Sequence, residues 1–100
     1  MQKILVYWRD IPAQVIIKAG RKRAKAELPS RFMESIDRAA MRAGKGSSNA
    51  YMEDWRREIT HLDACEDMQA FAEAEARQLE QRYTQDELDA LIRSKGLAEV

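Results

Sequence analysis

Little in this chain invites ordinary active-site chemistry. There is one cysteine and one histidine among 100 residues, with two prolines and four glycines. A lone Cys65 cannot close an internal disulfide, which suits a reducing compartment. The glycines fall in no phosphate-cradling spacing, so neither a P-loop nor a dinucleotide fingerprint is present. The longest early apolar run, Ile4–Trp8, is five residues, far short of the roughly 20 that span a bilayer or of a secretory core. Net charge is zero and pI is 6.6, where a dedicated nucleic-acid binder is expected to be strongly basic. The expectation is one soluble cytoplasmic domain over residues 1–100.

What is present is a division into two unlike parts. Residues 3–28 are β-branched and aromatic with two turn signals, and everything after Pro29 is patterned as helix. Strands are expected at Lys3–Trp8, Ala13–Ala19 and Arg23–Leu28, joined across Arg9–Pro12 and Gly20–Lys22. Short connections make neighbouring strands antiparallel. The fold class is therefore α+β: a three-stranded antiparallel meander over 3–28, packed by three to four helices over 29–97. Strand 1 lies at an edge of this meander.

The helices are expected at Pro29–Ala43, about Asn49–His61, Asp67–Tyr83 and a short last one opened by a capping box, Thr84 with Glu87. The second carries Met52, Trp55 and Ile59 on one stripe. Ser47 or Ser48 serves as its N-cap, and Asp67 as that of the third. Leu62–Glu66 is expected to be a kink or short loop. Gly44 and Gly96 end the first and last helices.

Both faces of strand 1 are apolar, Ile4/Val6/Trp8 on one and Leu5/Tyr7 on the other. With Val15, Ile17, Ala24, Ala26 and Leu28 turned to the helices, Leu5, Tyr7 and Ile16 are left without evident cover. Together with the strand-1 edge they are the candidate surface for a protein partner or a second copy. The second candidate is the basic hairpin tip, Lys18, Arg21, Lys22, Arg23 and Lys25.

Charge is unevenly placed. Residues 1–31 carry eight basic groups against two acids, and residues 63–90 carry nine acids against two arginines. Either the halves neutralise one another within the fold, or the molecule has a basic and an acidic end able to dock oppositely charged partners. His61 and Cys65, at i,i+4, are the only soft metal ligands and fall short of a structural site. No cofactor is implied, and an independent enzyme is the option the residues favour least. Nucleic-acid binding through the tip, with Tyr7 and Trp8 stacking, is a weaker alternative to protein contacts.

The strings VYWRDIPAQVIIKAG (6–20), LPSRFMESIDRAAMRAG (28–44) and AYMEDWRR (50–57) resemble the bacterial virulence factor domain family. A similar segment occurs in the C-terminal part of conserved virulence factor C. The likeness is good over roughly residues 4–57 and looser through LEQRY (79–83). It implies no catalytic residue. Because some members are encoded near corrinoid- and tetrahydrofolate-dependent methyl-transfer proteins, the resemblance also implies an accessory role in such a system. That role is an association rather than chemistry read from side chains.

Overall fold

The computed structural model describes residues 1–98. Its elements run β1 (Gln2–Trp8), β2 (Ile11–Ala19), β3 (Lys22–Glu27), α1 (Ser30–Arg42), α2 (Ser48–Glu53), β4 (Trp55–His61), α3 (Met68–Arg82) and α4 (Gln85–Arg93). The class is α+β, and the N-terminal hairpins form as the alternation requires. Gly20 takes a left-handed φ of 59° at the second tip, a conformation open to glycine at no Cβ cost.

The sheet has four strands, not three, in the order β3-β2-β1-β4. The expected helix over 49–61 stops at Glu53, and Trp55–His61 pairs antiparallel with all of β1, from Trp8↔Trp55 to Gln2↔His61. This segment carries two patterns at once. Met52, Trp55 and Ile59 fit a helical stripe, while Trp55-Arg-Arg-Glu-Ile-Thr-His61 also alternates and includes β-branched and aromatic residues. A seven-residue ladder against a central apolar strand outweighs the weak local helix preference. Strand 1 is consequently internal, and β4 is the edge.

One β-bulge reverses the expected facing of β1. From Gln2↔Lys18 to Val6↔Gln14 the hairpin keeps one register, but Tyr7 then pairs with Pro12, leaving Ala13 unpaired. Strand side chains alternate, so an inserted residue exchanges the faces of everything beyond it. Leu5 therefore pairs with Val15 and Ile4 with Ile16. Leu5 and Tyr7 belong to the helix-covered face, and Ile4 and Val6 join Ile16 on the other.

The main core fills the first face. Val15, Ile17, Ala24 and Leu28 of the hairpins meet Phe32, Ile36, Ala39 and Ala40 of α1, Ala72, Ala76 and Leu79 of α3, and Leu88 and Leu91 of α4. Helix α3 lies against β2 and β3, and α1 packs on β2 and on α4. Alanines on both α3 and β3 allow that close approach. Asp67 caps α3 by accepting from the Ala70 N–H at 3.0 Å, and Thr84 caps α4 through the Glu87 N–H at 3.3 Å. Ser47 is the N-cap residue of α2 but makes no side-chain cap bond. Arg31 joins α1 to the end of α3, donating to the carbonyls of Tyr83 and Glu80 at 3.0 and 3.1 Å. Those carbonyls lack helical partners, and a cation there complements the helix dipole. No helix among the described residues is long and apolar enough to cross a membrane.

Candidate functional site

The second face of the sheet can be laid out from the register alone. Side by side across β3, β2, β1 and β4 stand Glu27, Gln14, Val6 and Arg57. The next rank is Lys25, Ile16, Ile4 and Ile59, and the one beyond is Arg23, Lys18, Gln2 and His61. Ile4, Val6 and Ile16 form their own small cluster, to which Trp55 adds but no helix residue does. Each is nearly sealed, Ile16 being 4 % exposed. Long flanking side chains supply such a seal by laying methylene stems over apolar neighbours while their charged heads stay in water.

At the β1–β4 end this face opens into a groove of about 690 Å³, lined by Val6, Gln14, Met33, Met52, Trp55 and Arg57 among others. A smaller recess of about 270 Å³ continues it past Met33, Gln14 and Trp55 to Leu28 and Glu27. Met33 is 40 % exposed and Met52 65 %, with Ile59 at 54 % on the adjoining edge strand. Methionine is flexible and polarisable, suited to walls that remould around an apolar guest. Tyr51 supports the groove, its ring edge-on to Trp55 at 5.7 Å and stacked on Trp8 at 6.0 Å.

Of the residues expected to bind a partner, the fold gathers Ile16, Lys18, Arg23 and Lys25 on this face. Arg21 and Lys22 stand exposed at the β2–β3 tip. Leu5 and Tyr7 are not with them. Leu5 is half-buried against the main core, and Tyr7 is 7 % exposed. The Arg56 guanidinium lies over the Tyr7 ring at 4.4 Å. Burial pushes the Tyr7 phenol up from its ordinary value, and the nearby Tyr83 and Glu58 add to the effect. Met52 and Trp55 are absent from the expected surface because their helical spacing marks them as core candidates, and Met33 is absent because it flanks the apolar stripe of α1.

His61 ends β4 and Cys65 lies in the following loop, so they share no helix face. The Cys65 thiol sits 3.7 Å from the Met1 sulfur. Among the described residues no three His, Cys, Asp or Glu side chains are grouped to hold a metal.

The two charged regions barely pair. Among the described residues one ion pair joins them, Lys3 to Glu75 at 3.6 Å. Arg9 goes instead to Asp54 at 3.3 Å. Lys18, Arg23, Lys25 and Arg57 of the second face, with Arg21 and Lys22 of the tip, have no carboxylate partner among those residues.

The string Trp8-Arg-Asp-Ile-Pro12 is used in another way. Trp8 and Ile11 are fully buried, and the Trp8 indole N–H donates to the Tyr51 carbonyl at 2.8 Å. Arg9 adopts a left-handed φ of 53°, costly for a residue with a Cβ unless its surroundings over-determine it. They do. Its N–H donates to the Asp54 carbonyl at 3.0 Å, its guanidinium to Lys95 O at 2.8 Å, and its carbonyl accepts from Arg56 at 2.8 Å. Asp10 donates its N–H to Gly96 O at 2.8 Å, and its carboxylate accepts from the Ala98 N–H at 2.6 Å and from Arg56 at 3.1 Å. Arg56 also pairs with Glu58. Burial opposes its charge, but the hydrogen bonds it donates to the Glu58 and Asp10 carboxylates, with their negative charge, outweigh that and raise its pKa. The hairpin is thus a clasp holding the α2–β4 junction and the C-terminal tail.

The match to the virulence factor family model spans residues 6–92, nearly all of the sheet and helices. The chain belongs to the virulence factor family. No curated protein and no solved structure matches it. Membership in the virulence factor family assigns no chemistry to any side chain. Within this member the string WRDIP is accounted for as structure, and the second face with its groove is an exposed surface that the clasp does not use.

Proposed function

We propose that this protein is a non-catalytic interaction module that seats a protein partner in the groove between Met33, Met52 and Trp55 and on the adjoining sheet face. The observation carrying the reading is the pair of exposed methionines, Met33 of α1 and Met52 of α2, flanking Val6 and Trp55 beside a sheet cluster against which no helix residue packs. Solvent-exposed apolar walls around a concave floor, with polar groups at the margin, are the usual anatomy of a docking site. The surface differs from the expected one in its floor, because Leu5 and Tyr7 belong to the core and β1 is not an edge.

A photo-crosslinking residue placed at Met52, in cells that natively express the protein, tests this directly. Arg77, exposed on α3, serves as the control position. A discrete protein adduct at position 52, absent at 77, is the expected result. Adducts of equal yield at both positions, or none at either, would refute the assignment.

A further inference from the structure

The second face carries an excess of positive charge, and that excess specifies the occupant. Lys18, Arg23, Lys25 and Arg57 surround the Ile4/Val6/Ile16 cluster and the groove, with Glu27 as the one acidic side chain in the same three ranks. All four cations are exposed and none has a carboxylate partner among the described residues. Arg9 pairs with Asp54, Arg56 with Asp10 and Glu58, and Lys45 with Asp54, while Arg38, Arg42, Arg77, Arg82, Arg93 and Lys95 also make no ion pair among the described residues. What sets the four apart is that they share one sheet face around an apolar centre. The acidic helices do not reach round to neutralise them, since Lys3–Glu75 is the one ion pair they make with the N-terminal third among the described residues.

We infer that the groove and the second face bind an acidic polypeptide segment that presents a bulky apolar side chain between carboxylates. This rests on the proposed function and adds the partner's chemical class. The apolar side chain enters between Met33 and Met52 onto Val6 and Trp55. Flanking Asp or Glu residues meet Arg57 on one side and Lys18 and Lys25 on the other. Opposite charges around an apolar centre speed encounter and fix orientation, while the buried anchor supplies most of the affinity.

A single-stranded nucleic acid would also be drawn to four cations. Sheets that bind such strands stack successive bases on aromatic side chains across the middle of the sheet. Here the middle rank is Lys25, Ile16, Ile4 and Ile59, with no aromatic side chain in it, and Trp55 stands at one corner. Branched aliphatic side chains give bases no platform. The arrangement therefore favours a polypeptide.

The experiment selects a random short-peptide display library on the intact wild-type protein. Counter-selection uses the charge-reversed variant Lys18→Glu/Lys25→Glu/Arg57→Glu, whose altered side chains are all exposed. Retained wild-type circular dichroism confirms that this variant folds. Enriched peptides should carry two or more carboxylates around a Leu, Ile, Phe or Trp. Their affinity should fall about tenfold or more on charge reversal and weaken steeply with added salt. Met52→Asp should abolish binding while leaving the fold intact. Neutral or basic peptides seated in the groove would overturn the charge assignment and leave the docking function standing. Absence of any peptide sensitive to Met52→Asp would overturn both. A short oligouridine bound more tightly than the best peptide would replace the polypeptide with RNA, and binding of acidic helices from a second copy, seen as self-association by light scattering, would make the partner this chain itself.

Discussion

Adding one methyl group at Gly96 tests whether the C-terminal tail is seated as the structure has it. Gly96 has φ of 84°, and a Cβ built there lies 2.7 Å from Trp8 Cζ3 and 3.2 Å from Cε3. Two costs add for Gly96→Ala. Placing an L-residue in the left-handed region costs roughly 1–2 kcal/mol. Forcing a methyl group against a buried ring costs a further ~1–3 kcal/mol, because Trp8 is fully buried and has nowhere to move. The expected loss is about 2–5 kcal/mol, out of a total near 5–15 kcal/mol for a domain of this size.

Gly44 provides the internal control. Its φ is 72°, also left-handed, but a Cβ there meets nothing within 4 Å. Gly44→Ala should show the backbone cost alone, about 1 kcal/mol once the stiffer unfolded chain is counted. Urea unfolding of the two variants isolates the contact with Trp8. With a slope near 1–3 kcal/mol per molar, their midpoints should differ by about 1 M or more. Trp8→Phe deletes the benzo edge that the methyl meets, so the double variant should recover part of the loss, a coupling of about 1 kcal/mol. Indistinguishable midpoints for Gly96→Ala and Gly44→Ala would refute the reasoning, since the tail would not then rest on Trp8.

Asp10→Ala removes the acceptor for Ala98 N–H and Arg56; it should cost about 1–2 kcal/mol and speed hydrogen exchange at the Ala98 amide, and unchanged exchange would count against the clasp. Met52→Asp should leave stability within about 0.5 kcal/mol, whereas Ile16→Asp, burying a charge at a 4 %-exposed site, should unfold the domain in the same denaturation assay. Tyr7 and Tyr83 have pKa values raised above 10.0 by burial. The folded state therefore holds both phenolic protons more tightly than the unfolded chain does. Their contribution is complete below pH 10 and is lost as pH rises through the folded values, so phenolate absorbance and unfolding should rise together on the alkaline side.

Local pattern and tertiary pairing account for different parts of this fold. Residues 3–28 were legible as two hairpins because Pro12, Gly20 and strict alternation through Arg23–Leu28 are local signals. The caps at Asp67 and Thr84 were legible for the same reason. Trp55–His61 was not, since its preference for strand depends on a partner, β1, that lies about fifty residues away in sequence. The facing of Leu5 and Tyr7 was not legible either. It turns on Ala13 being bulged out, and nothing in Ala13 itself marks a bulge. Two errors in the expected partner surface follow from those two gaps: β1 became an edge, and Tyr7 became exposed. The basic residues Lys18, Arg23 and Lys25 were placed correctly on one side of the hairpin, because period-two alternation along β2 and β3 needs no knowledge of the rest of the chain.

The string WRDIP, part of the segment 6–20 that carries the family resemblance, invites a functional reading, and its geometry answers differently. Every one of its five residues is buried or tied: Trp8 to Tyr51, Arg9 to Asp54 and Lys95, Asp10 to Gly96, Ala98 and Arg56, with Ile11 and Pro12 in the core. A strained Arg9 backbone held from both the α2–β4 junction and the tail is a structural joint, with no free donor aimed at a cleft. Met52 sits two residues before Asp54, and Trp55 immediately after it, so the clasp fixes the groove's far wall. Loosening Arg9 should therefore reshape the groove without touching any residue that lines it. Arg9→Gly relieves the positive φ and removes the guanidinium bonds. It should lose groove binding while near-ultraviolet circular dichroism reports movement of Trp55. Intact binding in Arg9→Gly would separate clasp from groove and leave the string as fold alone.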